Sequence, residues 1–261
     1  MTDPARAPDS APAPDSAPAP DAAGSGRSRI GSGLYAHVVD VLGQEIIDGT
    51  LPAGTIVFAD QLCERLGVSR SVVRESLRTL GSMGLIEARP QVGTRVLPQT
   101  RWDLLNPHVV QWRAQGPDYV VQMHQLLELR LGIEQAAAGL AARRMSRGSA
   151  RRVLEAGLEM RQAFGARDAR AFFEADATFH RLMLEGTDNA VIAQLADTIG
   201  AVLRVRGTDP RPGMHDMTLE SVERHLLLAR ALADGDAAEA QAAAIGLVEG
   251  TLHEFENLLP R

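Results

Sequence analysis

Four residues, Leu66-Gly67-Val68-Ser69, restrict the fold of this chain more than any other stretch. Helical periodicity runs into them from Asp60 and away from them to about Met83, with Val73, Leu77 and Leu80 on one face. Glycine suits the end of the first helix, and the Ser69 hydroxyl can accept a first-turn N–H of the second. Two short helices therefore meet at a tight turn. A longer helical pattern precedes them at Leu34, Val38, Val41, Leu42 and Ile46. It stops at Asp48-Gly49 before a turn at Leu51-Pro52-Ala53-Gly54. After Gly84, the run Leu85-Ile86-Glu87-Ala88-Arg89-Pro90-Gln91-Val92-Gly93-Thr94-Arg95-Val96 reads as two β-prone segments around a bend, a β-hairpin.

Helix, short helix, tight turn, helix and hairpin make a winged helix-turn-helix, which lays its second short helix in the DNA major groove. Arg70, Arg74 and Arg78 fall at i, i+4 and i+8, so they share one face, with Ser71 and Thr79 beside them. An arginine fork can bond guanine O6 and N7 together or clamp a phosphate. Arg89 and Arg95 flank the hairpin tip and can grip the backbone. Alone, an arginine stripe also describes a solvated helix face. Joined to the turn and the hairpin, it points to DNA.

Charge supports a division of labour. The net charge of −6 over 261 residues argues against general nucleic-acid affinity. By segment it is −3 over 1–26, +2 over 27–101 and −5 over 102–261, and every one of the 27 basic residues is Arg. Aromatics are 4% of the chain, which favours Ala- and Leu-rich packed helices over a β-sandwich. The single cysteine, Cys63, excludes an internal disulfide and a Cys-rich zinc module, and its place between Leu62 and Leu66 suits a core. No apolar run approaches the roughly 18 residues of a membrane span, and no secretory signal leads the chain. The expectation is a cytoplasmic protein with no membrane partner.

Residues 1–29 read as a disordered Ala/Pro/Asp tail, with Arg27 to Gly33 continuing as a flexible lead. The DNA-binding unit spans 30–98. A linker and packing segment covers 99–116, anchored by Trp102, Leu104 and Leu105. Residues 117–258 read as an all-α antiparallel bundle, with helices at roughly 120–145, 149–165, 168–186, 188–205, 216–234 and 236–258. Gly207 to Gly213 reads as a loop. In the bundle, Asp176 and His180 sit at i, i+4 and point the same way, and both offer atoms to a divalent cation. His225, on a later helix, can join them across the core. Arg130 can anchor an organic acid's carboxylate, or simply pair with Glu134 on its own helix face. On spacing alone, an Asp/His pair of this kind is usually a surface or satisfied polar pair rather than a metal site. His37, His108, His124 and His215 have no partner pattern.

The stretch "IIDGTLPAGT…LCERLGVSRSVVRESLRTLGSMGLIEARPQVGTRV" resembles the N-terminal domain of GntR-superfamily transcription regulators over about 65 residues. The resemblance implies that Arg70, Ser71 and Arg74 read or clamp the operator and that Gly93 shapes the wing. Asp60 departs from it, standing where relatives often carry a basic phosphate contact, and Pro90-Gln91 replaces the usual Gly or basic tip. The segments "LLELRLGIEQAAAGLAARR", "FFEADATFHRLMLEGTDNAVIAQL" and "ERHLLLARALADGDAAEAQAA" resemble the FCD effector domain of the FadR-like branch. That likeness implies a metal of Zn, Ni or Mn type held by Asp176, His180 and His225, facing a carboxylate effector near Arg130. The family's fourth ligand falls near Leu247 or Val248, neither of which binds metal, and His253 lies off that face. Asn189 matches a family Asn that reads as an N-cap. "RWDLLNPHVVQW" is similar to the sugar-acid-responsive, galactonate-type members.

The expected function is a homodimeric, ligand-responsive repressor on a palindromic operator, released by a small organic acid. An acyl-CoA-responsive regulator is the alternative. A metal-dependent enzyme fused to a DNA-binding domain is a weaker one, because no further acid, base or nucleophile accompanies the three residues.

Overall fold

The computed structural model describes residues 25–116, 118–208 and 217–256. The Ala-Pro-Asp repeat, His215 and most of the expected loop after Gly207 lie outside the described residues.

Helix α1 (Ser25–Ile47) buries Val38, Val39, Leu42 and Ile46. It starts well before Leu34, where a flexible lead is expected from sequence. Those first turns are rich in Gly, Ser and Arg, so no apolar stripe marks them. Helix α2 (Ala59–Leu66) ends at Gly67, whose φ of 66° is left-handed. Helix α3 (Arg70–Ser82) starts at Ser69, whose hydroxyl accepts from the Val72 N–H at 3.4 Å. Its inner face carries Val73 and Leu80 into a core shared with α1 and α2.

The hairpin is β2 (Ile86–Arg89) and β3 (Gly93–Val96), with Glu87 opposite Arg95. At its tip Val92 N–H donates to the Arg89 carbonyl at 3.2 Å, with Pro90 and then Gln91 (φ 60°) between them. Proline followed by a positive φ is type II turn geometry. A third strand, β1 (Ile56–Val57), pairs antiparallel with β3 to give the order β1-β3-β2. Two residues are too few to show alternation, so the sequence pattern misses β1. It explains Gly93, however: a Cβ there would lie 2.8 Å from Ile56 Cγ2.

The 99–116 segment is more than a linker. It forms a 3-10 turn (Gln99–Arg101) and then α4 (Pro107–Ala114), capped by Asn106, which accepts from the His108 N–H. The anchors differ from the expected set. Trp102 is half-buried and its indole donates to the Leu97 carbonyl, but Leu104 and Leu105 are exposed. The deep anchor is Trp112. It packs against α1, where a Cβ on Gly43 would lie 2.5 Å from the ring, and its Nε1 donates to Asp40 at 3.3 Å. Val109 joins Trp112 in the DNA-domain core, whereas Val110 and Ala114 join the bundle core. Helix α4 is thus buried on two sides.

The bundle comprises α5 (Tyr119–Arg144), α6 (Arg147–Ala166), α7 (Ala169–Glu185), α8 (Ala190–Ala193), α9 (Leu195–Thr208), α10 (Leu219–Asp234) and α11 (Ala237–Glu256). The expected 188–205 helix is two helices, α8 and α9, and Gly207 lies inside α9 rather than in a loop. Asn189 caps α8, accepting from Val191 and Ile192. Ala138, Ala141 and Ala142 on α5 face Ala240, Ala243 and Ala244 on α11. Small side chains let these backbones approach closely, which suits a chain poor in aromatics.

Candidate DNA interface and buried effector site

Arg70, Ser71, Arg74 and Arg78 are exposed on one side of α3, opposite its buried stripe. The three arginines line an open groove of about 470 Å³ with Ala88 and Thr94 from the wing. Arg89 and Arg95 are exposed on β2 and β3. Three of the arginines already hold carboxylates: Arg70 with Asp60, Arg78 with Glu75 at 3.0 Å and Arg89 with Glu87 at 3.0 Å. The cations of this groove sit in water. Cys63 is half-buried against the core of this domain.

The second constellation is buried. Asp176 and His180 lie one turn apart on α7, and His225 reaches them from α10. Their candidate ligand atoms all lie within 4.8 Å of one another. Both imidazole Nε2 atoms converge on Asp176 Oδ1, at 3.2 Å from His180 and 3.0 Å from His225. Phe179, fully buried, packs its ring edge-on against both imidazoles. The other edge of His225 is fixed: Nδ1 lies 2.7 Å from the Ser221 carbonyl oxygen, which can only accept. Nδ1 therefore carries a hydrogen. The Nδ1 of His180 lies 3.0 Å from Glu134 Oε2, though out of line for a hydrogen bond.

Arg130 on α5 completes the cluster. Its Nε donates to Glu134 Oε1 at 2.7 Å, and its Nη2 lies 3.1 Å from His180 Nε2. Arg130 pairs with Glu134, one of the two readings the sequence offers, and is buried beside the Asp/His/His group. Burial pushes the Glu134 carboxyl up, but Arg130 and then His180 outweigh it and hold it down to about 2. Burial likewise opposes the Asp176 charge, yet the two imidazoles keep it well below the usual carboxylate range. For His180, burial lowers the pKa, and so does Arg130, but Glu134 and Asp176 together more than restore it, for a net rise.

A cavity of about 10 Å³, room for roughly one water, adjoins the cluster. Leu247 and Thr251 from α11 line it, and so does the buried Arg206 of α9. The Arg206 guanidinium lies 4.8 Å from the Phe173 ring and 5.3 Å from that of Phe255. Arg206 and Glu134 are the residues that sequence reasoning undervalues. Arg206 lies on the buried side of α9, whereas Arg204, two residues earlier, reaches the exposed Glu174. Leu247 occupies the cavity wall, whereas Val248 packs into a different core. His253 is exposed, His108 stacks on Trp112, and His124 faces Glu128 at 3.5 Å.

Residues 34–96 match the model described as bacterial regulatory proteins, gntR family, and residues 125–250 match the FCD domain. The galactonate operon transcriptional repressor of Escherichia coli (strain K12) is 31% identical over 206 residues, spanning 77% of this chain and 89% of the relative. This chain belongs to the GntR family. It is a DNA-binding transcription regulator with an FCD domain, and its relatives include named repressors. The HTH-type regulator LutR of Bacillus subtilis (strain 168) is 28% identical over 196 residues, 74% of this chain and 87% of the relative. Among solved structures, Lar, described as controlling the Listeria monocytogenes agr system, superposes with a TM-score of 0.61 at 17% identity. That match covers 87% of this chain and 98% of Lar, and it speaks to the fold. GntR-family regulators bind DNA operators as dimers, and FCD domains bind small-molecule effectors. Among the described residues no helix is long and apolar enough to cross a membrane.

Proposed function

We propose that this regulator is a repressor released by a small carboxylate bound beside a divalent metal in the bundle. Asp176, His180 and His225 are the metal's protein ligands, and Arg130 is the carboxylate anchor. Arg70, Ser71, Arg74 and Arg78 contact the operator from α3. Arg89 and Arg95 contact it from the wing, whose bend Gly93 permits. The observation that carries the metal is the edge assignment of His225. With its Nδ1 hydrogen committed to the Ser221 carbonyl, His225 presents its Nε2 edge to Asp176 Oδ1, 3.0 Å away. A proton on Nε2 or a metal ion can fill that edge, and the convergence of a carboxylate and two imidazole nitrogens within 4.8 Å of one another suits a divalent ion. The Ser221 carbonyl at Nδ1 of His225 is an outer-shell partner of the kind that metal-binding imidazoles use.

A divalent ion would supply a Lewis-acidic contact for an oxygen of the effector. The chain's own part is to orient the imidazoles, hold the Asp176 charge and present Arg130. The name of the Escherichia coli relative favours a sugar acid among small carboxylates. The cavity beside the cluster holds about one water, so a sugar acid and an acyl chain alike require the bundle to open, the acyl chain by far more. A carboxylate that binds one dimer geometry better than the operator-bound one shifts the population by that difference. A regulator acting on operator DNA in this way works in the cytoplasm, and the proposed function needs no catalysis.

The test is metal content on chelator-free protein, followed by melting curves with sugar acids and shorter hydroxy acids. A ligand selective for the native state raises the melting temperature. A stoichiometric metal, and a shift with one acid that also frees DNA, are expected. Metal-free protein that no acid stabilises would sink the effector site and leave the DNA-binding half standing.

A further inference from the structure

We propose that Asp60 sets the base preference of the recognition helix by holding Arg70, so that the pair reads a G·C base pair at the N-terminal end of α3. The proposal rests on the DNA-contact reading of α3. Asp60 sits in the first turn of α2 and Arg70 is the first residue of α3, on either side of the tight turn. The carboxylate accepts from Arg70 Nη2. Both side chains are largely exposed, 70% for Asp60 and 67% for Arg70, and both line the groove that holds Arg74 and Arg78.

Neither stability nor raw affinity accounts for this pair. An exposed ion pair contributes about 0–1 kcal/mol to folding. A carboxylate on a surface meant for a polyanion weakens binding, because phosphate contacts supply most of the affinity. What it does provide is orientation. A free arginine side chain can swing to any nearby phosphate, which carries no sequence information. An arginine tethered through one nitrogen keeps its remaining N–H groups in a fixed plane, where they suit guanine O6 and N7. A carboxylate beside that plane can also accept from cytosine N4, which pairs with the same guanine. The charge lost toward phosphate is thus exchanged for discrimination between bases.

The experiment selects duplexes from a random library with the full-length protein and with Asp60→Ala, Asp60→Asn, Arg70→Ala and Arg74→Ala. Asp60→Ala is expected to keep the motif but to lose about tenfold discrimination at one base pair of each half-site. Its affinity for random duplex should rise, with the slope of log K against log salt steeper by about one. Asp60→Asn keeps an acceptor oxygen and is expected to retain the preference. Arg70→Ala should lose the same base pair, and adding Asp60→Ala to it should cost no further discrimination. An Asp60→Ala protein that binds all duplexes more tightly with its base preference intact would overturn the proposal, leaving Asp60 as a charge penalty only. Unchanged binding by Arg70→Ala and Arg74→Ala would instead overturn the DNA-contact reading itself. Equal melting temperatures across the set confirm that folding is not the variable.

Discussion

The reading surface and the bundle interior are made of the same ion pairs in opposite surroundings. On the wing and α3, Arg78–Glu75 and Arg89–Glu87 sit in water, where each partner can let go and find another. In the bundle, Arg130–Glu134 and the two His–Asp176 contacts are almost fully excluded from it. Exposed charges are cheap to hold and available to a partner that brings its own. Buried charges are bound to one another, because a lone one would be left without compensation. The first arrangement suits a surface that meets DNA, and the second a site that responds only to something entering it.

The sharpest way to break this contrast is Glu134→Ala, which strands Arg130 inside. We expect a loss of about 3–5 kcal/mol in urea unfolding. The pH dependence has a definite sign. The folded pKa of Glu134, about 2, lies below the roughly 4.3 of an unfolded glutamate. Its stabilisation is therefore complete above the unfolded value and is lost as pH falls through the folded one. The Glu134→Ala protein should show a flatter acid limb over that window. If it unfolds like the wild type, the buried network is not coupled as described.

Arg74→Ala comes next and probes the other region. Removing one base or phosphate contact should weaken operator binding by about 1–3 kcal/mol in a binding titration. The melting temperature should stay the same, since Arg74 is exposed. A large stability loss instead would make Arg74 structural. The smallest effect belongs to Arg151→Ala, which breaks the exposed Arg151–Glu155 pair on α6. Its cost should stay under about 0.5 kcal/mol. A value near that of Glu134→Ala would erase the distinction between surface and interior pairs.

Sequence legibility follows the same divide. The turn at Gly67, the Ser69 cap and the Arg70/Arg74/Arg78 stripe are local, since each depends on residues within two helical turns. The i, i+4 relation of Asp176 and His180 is local too. That His225 meets them depends on how α10 packs against α7, which periodicity does not encode. The Glu134–His180 approach is hidden for the same reason, because spacing offers Glu134 only its neighbour Arg130. Helix α4 escaped for a different cause. Val109, Val110, Trp112, Arg113 and Ala114 are all buried, so its apolar positions run around the axis instead of forming a stripe. Leu104 and Leu105 mislead in the opposite sense, apolar residues left on the surface as is common in folded proteins.

The double burial of α4 bears on how this protein can be recombined. A chimera that joins the reading domain of one regulator to the bundle of another is usually cut where the chain looks loosest, here between Val96 and Pro107. That cut separates Trp112 from the Gly43 notch in α1 that receives its ring. A cut after Ala114 keeps the notch filled but hands Val110 and Ala114 to a foreign α9 and α11. Neither junction is neutral. Exchange between relatives works only when the residues on both faces of α4 travel with their partners, so the two halves of this regulator are interchangeable as matched sets and not as independent parts.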